Sequence, residues 1–247
     1  MHPLDNPVWS SLTGPQHDVA ERVGPVARYR TQVSPFGAFE EPPGPRLWRA
    51  MGDLVGPGGV VIVTGPTGDP PDAWAVEYDG VGVQLTAAHL VASPAEVAAT
   101  RPDVDVVPLG LPEADDMVAL VELARPGPFS PRTYELGGYA GVRRGGLLVA
   151  MAGQRFRPDG WCEISAVATH PDHRRQGLGE LAVRTVAAGI TARGETPFLH
   201  TAADNTTALR LYAAMGFTVR RQVRFVAVRA PGATRGIPTP TLPPVHD

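Results

Sequence analysis

The chain has 247 residues, of which 43% are hydrophobic and 19% are charged, as expected for a folded protein with a sizeable core. Its formal net charge is -3 and its sequence pI is about 6.2, and this charge does not favour non-specific binding to nucleic acid or to a membrane surface. The only cysteine is Cys162, so the sequence excludes an intramolecular disulfide and a cysteine-rich metal site.

Targeting signals and membrane spans are not evident in the sequence. Residues 1–10 lack a basic stretch followed by an apolar core, and no apolar run approaches the roughly 18 residues that span a bilayer. The expected location is therefore the cytoplasm. Charge is unevenly distributed, because nine arginines stand against three acids between residues 173 and 229. A locally basic segment of this kind suits a small polyanionic ligand.

The first hundred residues predict a mixed α/β region broken by proline- and glycine-rich loops. Residues 18–22 and 46–55 are candidate short helices, and the apolar run at 59–64 predicts a buried strand. Residues 81–86 are a second candidate strand. Residues 94–100 are a candidate helix, because Ser93 can cap it and Pro94 is its first residue.

The second half of the chain shows clearer periodicity. Candidate strands cover residues 104–109, 139–143, 147–152, 161–168, 197–201 and 222–228, and candidate helices cover 113–125, 178–192 and 205–215. The proline-rich tail from 231 to 247 has no periodicity and is predicted to be disordered.

The segment Arg174-Arg-Gln-Gly-Leu-Gly179 lies between a predicted strand and a predicted helix. Gly177 and Gly179 let the backbone turn tightly and approach a ligand. Unpaired amides at the start of the helix would face a pyrophosphate, and Arg174 and Arg175 would add charge. The alternative is a glycine-rich turn with two solvated arginines. The short pattern alone does not decide between the two.

The wider context resembles the GNAT superfamily of N-acetyltransferases. The resemblance rests on Glu163-Ile-Ser-Ala-Val-Ala-Thr-His-Pro171, the loop that follows, and Asn205-Thr-Thr-Ala-Leu-Arg-Leu-Tyr-Ala-Ala-Met-Gly-Phe217. It is strongest over 139–228, and this part is also similar to the glycine N-acyltransferase branch. The resemblance implies an α/β (α+β) fold with a mixed, mostly antiparallel sheet flanked by helices.

The same resemblance implies a domain organisation. Residues 104–230 would form the GNAT domain and 231–247 a tail. Residues 1–103 match no motif, and one hypothesis makes them a degenerate second GNAT-like unit that shapes the acceptor pocket.

The resemblance also implies a site for acetyl-CoA, with no metal. In the family, the strand before the loop hydrogen-bonds the pantetheine arm as an added strand would. The loop then holds the pyrophosphate, and an asparagine at the start of a later helix contacts the pantetheine arm. The matching residues here are Val167, Ala168, Thr169, Arg174, Arg175, Gln176, Gly177, Leu178, Gly179, Glu180 and Asn205. An acid such as Glu180 is unexpected beside phosphate and would face away. Asn205 would also act as a helix cap.

Two residues are implied as catalytic. Tyr212 matches a tyrosine that protonates the leaving thiolate in many relatives, and its alternative role is packing in the core. Glu163 is the candidate base that removes a proton from the amine, directly or through water. Its alternative role is that of a hydrogen-bonded strand residue.

Three other side chains are weaker candidates. His170 and His173 bracket a turn that favours a polar role over metal binding. His200 either lines the acceptor site or sits in the core, and the second is favoured.

The leading interpretation is an acetyltransferase that acts on a primary amine of a small molecule or peptide. Two alternatives stay open: a transferase for longer acyl-CoA donors, and an acyl-CoA-binding regulatory module without turnover. The expected partners are acetyl-CoA and an amine, with neither nucleic acid nor membrane involved. The acceptor, the preferred acyl length and the oligomeric state are not marked in the sequence.

Overall fold

The computed structural model describes residues 2–87, 95 and 101–232 of the chain. Its strands are β1 (Ala20–Val23), β2 (Val26–Tyr29), β3 (Phe36–Phe39), β4 (Val60–Thr64), β5 (Ala75–Thr86), β6 (Asp105–Leu109), β7 (Tyr139–Arg144), β8 (Leu147–Gln154), β9 (Trp161–Thr169), β10 (Thr196–Ala202) and β11 (Thr218–Arg229). The α-helices among these residues are α1 (Pro7–Leu12), α2 (Pro45–Val55), α3 (Ala114–Ala124), α4 (Leu178–Ala192) and α5 (Thr206–Ala214). None of these helices is long and apolar enough to cross a membrane.

All the strands belong to one 11-stranded sheet, in the order β1-β2-β3-β4-β11-β5-β10-β9-β8-β7-β6. Two neighbouring pairs are parallel, β3 with β4 and β9 with β10, and the other pairs are antiparallel. The expected mixed, mostly antiparallel sheet flanked by helices is confirmed.

The strand order is nearly symmetrical about the central pair β5 and β11, with four strands on one side and five on the other. In the first half α2 connects the parallel strands β3 and β4, and in the second half α4 connects β9 and β10. Strand β4 then pairs with β11, while β10 pairs with β5, so each half places its last strand in the sheet of the other. The hypothesis that residues 1–103 form a second GNAT-like unit stays a prediction. Residue 103 is nevertheless no boundary in space, because β5 lies inside the sheet of the second half.

Several local predictions differ from the observed elements. The helix expected at 18–22 is wrong: a 3-10 turn at His17–Val19 leads into β1, which pairs with β2. Sheet pairing overrides weak local preference here. Strands β2 and β3 were missed because each has only four residues. Strands β5 and β11 extend well beyond their predicted cores, since they pair with each other. Two predicted segments lie outside the described residues: the candidate helix at 94–100, except for residue 95, and the tail from 233.

Helices cover both faces of the sheet around β9. On one face α4 buries Leu181, Val186 and Ile190 against strands β5 and β7–β10. On the opposite face α3 packs over β8 and β9, and residues of the first half cover the start of β9. The helix surface predicted at 113–125 is thereby confirmed, with Met117, Leu120 and Val121 buried.

Candidate active site

The parallel strands β9 and β10 separate at their carboxyl ends. Their pairing runs from Trp161 opposite Thr196 to Ile164 opposite Leu199 and then stops. Beyond that point β9 pairs only with β8, and a bulge centred on Ala166 (φ 50°) shifts its register. The main chain of residues 167–169 therefore has an edge without a strand partner in the described chain. An extended ligand that carries amides can add to such an edge.

The loop at the end of β9 leads directly into α4. Arg175 (φ 60°) and Gly177 (φ 74°) both have left-handed backbone conformations, and Gly177 is the N-cap of the helix. The peptide N–H of Leu181 donates to the Gly177 carbonyl at 3.0 Å. The amides of residues 178–180 precede this bond and have no partner within the helix, so they can donate to an anion.

Gly179 lets the helix start close to the strand. A Cβ at this position would lie 2.9 Å from Oγ1 of Thr169, the last residue of β9. A larger residue would therefore push the amides of the helix away from the end of the split.

The predicted charged residues of the loop divide into two groups. Arg174 and Arg175 are exposed and make no ion pair with any described residue, so both can reach a phosphate. The Glu180 carboxylate instead accepts from Arg184 Nε at 2.9 Å and Nη2 at 2.8 Å. This pair runs along α4 and turns the acid away from the loop, as expected.

Two further arginines lie at the loop and were not identified from the sequence. The Nη2 atom of Arg101 is 3.1 Å from where a Cβ on Gly177 would stand, and its Nε is buried without a hydrogen-bond partner in the described chain. Arg144 Nη1 lies 3.0 Å from His173 Nδ1 and donates to Gln176 Oε1 at 2.8 Å. Tertiary packing alone brings them here, and no local spacing signals either residue.

Tyr212 lies on α5, beside the same split. Asn205 caps this helix, because its Oδ1 accepts from the Ala208 N–H at 3.0 Å. The Tyr212 ring is buried in the hydrophobic cluster that includes Leu199. Val167 packs against the same cluster. Burial raises the pKa of Tyr212 to about 12, so the phenol keeps its proton at neutral pH.

Glu163 is fully buried and tightly bound on the other face of β9. Its Oε1 lies 2.6 Å from Arg155 Nη2 and 2.6 Å from His200 Nδ1, and Oε2 lies 2.8 Å from Arg155 Nε. Burial favours the protonated acid, but the charges and hydrogen bonds of Arg155 and His200 outweigh it and lower the pKa of Glu163 to about 2. A carboxylate so bound is a weak base.

His200 joins Glu163 to a polar network from the first half. Its Nε2 lies 3.1 Å from Gln84 Nε2, and the same amide donates to the Leu4 carbonyl at 3.0 Å. The Gln84 oxygen in turn accepts from Arg220 at 2.9 Å. The structure thus gives this buried histidine two side-chain partners.

The remaining weak candidates make ordinary contacts. Burial raises the pKa of the Cys162 thiol to about 12, which suits a packing residue better than a nucleophile. His170 accepts from the Asp172 N–H in a turn. Among the described residues no group of three or more His, Cys, Asp or Glu side chains could hold a metal ion.

Comparison with known proteins gives consistent similarities. The sequence profile of FR47-like protein matches residues 139–226. A solved structure from Novosphingobium aromaticivorans, assigned to the GNAT family of acetyltransferases, is 34% identical, with a TM-score of 0.82 over 95% of this chain and 100% of its own. No curated protein matches the chain.

Two more distant solved structures show the same fold. A GCN5-related N-acetyltransferase-like protein from Streptococcus suis is 16% identical, with a TM-score of 0.61 over 90% of this chain and 92% of its own. A GCN5-related N-acetyltransferase from Kribbella flavida is 18% identical, with a TM-score of 0.58 over 91% and 96%.

Proposed function

Because this chain belongs to the GNAT superfamily of N-acetyltransferases, we propose that it transfers the acetyl group of acetyl-CoA to a primary amine of a small molecule or peptide. The observation that carries the proposal is the split between β9 and β10, which opens after Ile164 and Leu199 and leads to the loop at 174–177. The split offers a free strand edge, and the loop offers unpaired amides and arginines. Together they match an elongated ligand with amides in its arm and phosphates at its end.

In this proposal the donor lies along the split. The pantetheine arm bonds the main chain of residues 167–169 and contacts Asn205. The pyrophosphate lies against the amides of residues 178–180, with Arg174 and Arg175 beside it and the Gln176 side chain held by Arg144. Arg101 adds a charge from outside the loop. Glu180 contributes its backbone and not its carboxylate, since Arg184 holds that group.

The reaction is direct attack by the amine on the thioester. The amine nitrogen forms a bond to the carbonyl carbon, the carbon–sulfur bond breaks, and its electron pair leaves on sulfur. Tyr212 donates its proton to the departing thiolate, the attacking nitrogen loses one proton to solvent, and Tyr212 regains a proton from solvent before the next turnover. Burial keeps the Tyr212 phenol protonated at neutral pH, so its proton is present when the thiolate forms.

Of the two routes for the amine proton, the contacts of Glu163 favour loss to water. Direct transfer to Glu163 would require a carboxylate that already accepts from Arg155 and His200. We assign Glu163 to holding these two side chains in place.

A donor and amine panel tests the proposal. The protein is mixed with acetyl-, butyryl- or benzoyl-CoA and a series of primary amines, thiol release is followed, and the acylated product is identified by mass. We expect acetyl transfer to at least one amine. A preference for the longer donors would replace the acetyl assignment. Binding of acetyl-CoA by calorimetry, without acylation of any amine, would show a module that binds without turnover and would end the enzyme proposal.

A further inference from the structure

Tyr139, the first residue of β7, has a buried hydroxyl that makes no hydrogen bond within the described chain. The residue is only 4% exposed. Its ring lies flat across β8 at Gly153, where any Cβ would fall 2.0 Å from the ring. Glycine at this position therefore leaves room for the tyrosine. A buried hydroxyl without a partner is costly, so it points to a ligand that supplies the missing bond.

The ring extends towards the inner end of the split. Gly153 pairs with Ser165 on the neighbouring strand β9. Ser165 is the first residue of β9 beyond the parallel pairing with β10, and it is partly exposed while residues 162–164 are buried. Arg155 directly follows the last residue of β8, and Glu163 lies two residues before Ser165 on β9. The charges of both residues act on the Tyr139 hydroxyl. The hydroxyl thus lies over β8 and β9 where they approach the reacting centre.

The surroundings of this hydroxyl are aromatic and carry no free charge among the described residues. Phe129 meets the Tyr139 ring edge-on, with ring centroids 6.2 Å apart at 88°. Tyr134 packs against the same cluster. The nearest charges belong to Arg155 and Glu163, and these neutralise each other.

The first half of the chain fixes the loop that carries these aromatic residues. Thr133 Oγ1 donates to the Val33 carbonyl at 2.8 Å, and the Arg132 N–H donates to the Gln32 carbonyl at 3.0 Å. Residues 32 and 33, from the first half, therefore hold residues 132 and 133 in place.

We propose that the Tyr139 hydroxyl binds the amine of the acceptor and that the acceptor carries an aromatic or apolar group that packs against Phe129 and Tyr134. The inference rests on the proposed function and names its substrate class. A hydrogen bond to Tyr139 orients the nitrogen towards the thioester carbon. Polyamines and amino acids are poorer acceptors, because the charge-free surroundings would desolvate their extra ammonium or carboxylate groups.

The test compares amines and one variant. With acetyl-CoA as donor, we expect kcat/KM for 2-phenylethylamine to exceed the values for spermidine and glycine at least tenfold. In Tyr139→Phe we expect KM for 2-phenylethylamine to rise about tenfold, as loss of one hydrogen bond does. The KM for acetyl-CoA should stay within twofold. The unfolding temperature should stay the same or rise, because the variant removes a buried hydroxyl without a partner. Tyr78→Phe, on β5, is the matched control.

The outcomes separate this inference from the proposed function. If amines are acylated but the KM for 2-phenylethylamine is unchanged in Tyr139→Phe, or if spermidine or glycine is preferred, the inference fails and the transferase stands. A lower unfolding temperature with unchanged amine KM would assign the hydroxyl to the core. If no amine is acylated by the unmodified protein, both proposals fail together.

Discussion

At the scale of single residues, the pKa values of the two candidate catalytic groups shift in opposite directions. Tyr212 is buried without a charged partner, so its pKa rises to about 12 and it stays a proton donor. Glu163 is buried against Arg155 and His200, so its pKa falls to about 2 and it stays ionised. Neither group changes its charge near neutral pH. Any pH dependence of the rate between about 6 and 9 should therefore reflect the amine itself.

Replacement of Tyr212 by phenylalanine tests the acid. We expect kcat to fall by about 10² or more, because general acid catalysis is typically worth 10² to 10⁴. The KM for acetyl-CoA should stay within twofold, since the ring and its packing against Phe217 remain. Steady-state kinetics at saturating amine measures both values, with Tyr78→Phe as the control. An unchanged kcat would remove Tyr212 from the mechanism.

Replacement of Glu163 by glutamine tests the ion pair through stability. The folded pKa of about 2 lies below the usual glutamate pKa of 4.5, so the carboxylate stabilises the fold above pH 4.5. That contribution, about 3 kcal/mol, is lost as the pH falls towards 2. We expect Glu163→Gln to lower the free energy of unfolding by about 3 kcal/mol at pH 7, because Arg155 keeps a buried charge. Urea unfolding at pH 7 and pH 3 should show a smaller difference at the lower pH.

The same variant distinguishes the two roles of Glu163. If it holds Arg155 and His200 in place, activity of the folded variant should fall less than tenfold, and the acidic limb of the kcat/KM profile should stay where it is. A loss of about 10² or more together with the disappearance of that limb would identify Glu163 as the base. Glu135→Gln is the control, since Glu135 pairs with Arg132 at the surface, where ion pairs contribute little.

At the scale of elements, the loop at 174–179, which we propose binds the pyrophosphate, is contacted by a residue from outside it. We expect Arg101→Gln to raise the KM for acetyl-CoA about tenfold, because its guanidinium lies over Gly177 beside the proposed pyrophosphate. The KM for acetyl-pantetheine, which lacks phosphates, should not change. Arg132→Gln, at a surface pair far along the chain, is the control. An equal effect on both donors would mean that Arg101 supports the fold and not the phosphate.

The elements also show which parts of the site could be predicted. The loop at 174–179 is contiguous, so its glycines, arginines and following helix could be recognised together. Helix α4 was predicted with its observed bounds because its apolar periodicity is long. Arg101 and Tyr139 could not be recognised, since only the tertiary fold brings them to the split. For Glu163 the strand was predicted correctly, but its partners Arg155 and His200 depend on the folding of two other strands.

At the scale of the whole molecule, β5 and β11 join the two halves of the chain into one sheet, because each pairs with strands of the other half. Strand β5 comes from the first half of the chain and lies between β10 and β11, so it pairs with two strands of the second half. Its Gln84 also bonds towards His200 and Arg220 near the split. Although the recognisable motifs lie after residue 138, the candidate site is therefore built by both halves. The family resemblance located the motifs but could not reveal this dependence.

Separation of the halves tests this dependence. A fragment of residues 104–232 keeps the loop at 174–179, Tyr212 and Tyr139 but lacks Arg101 and β5. Loss of β5 leaves the facing edges of β10 and β11 unpaired and part of their apolar surface exposed. We expect the fragment alone to show no cooperative urea transition and no binding of CoA by calorimetry. Co-expression with residues 1–103 should restore both, because β5 can then occupy its place between the two strands. A fragment that unfolds cooperatively and binds CoA by itself would show that the second half closes its own sheet.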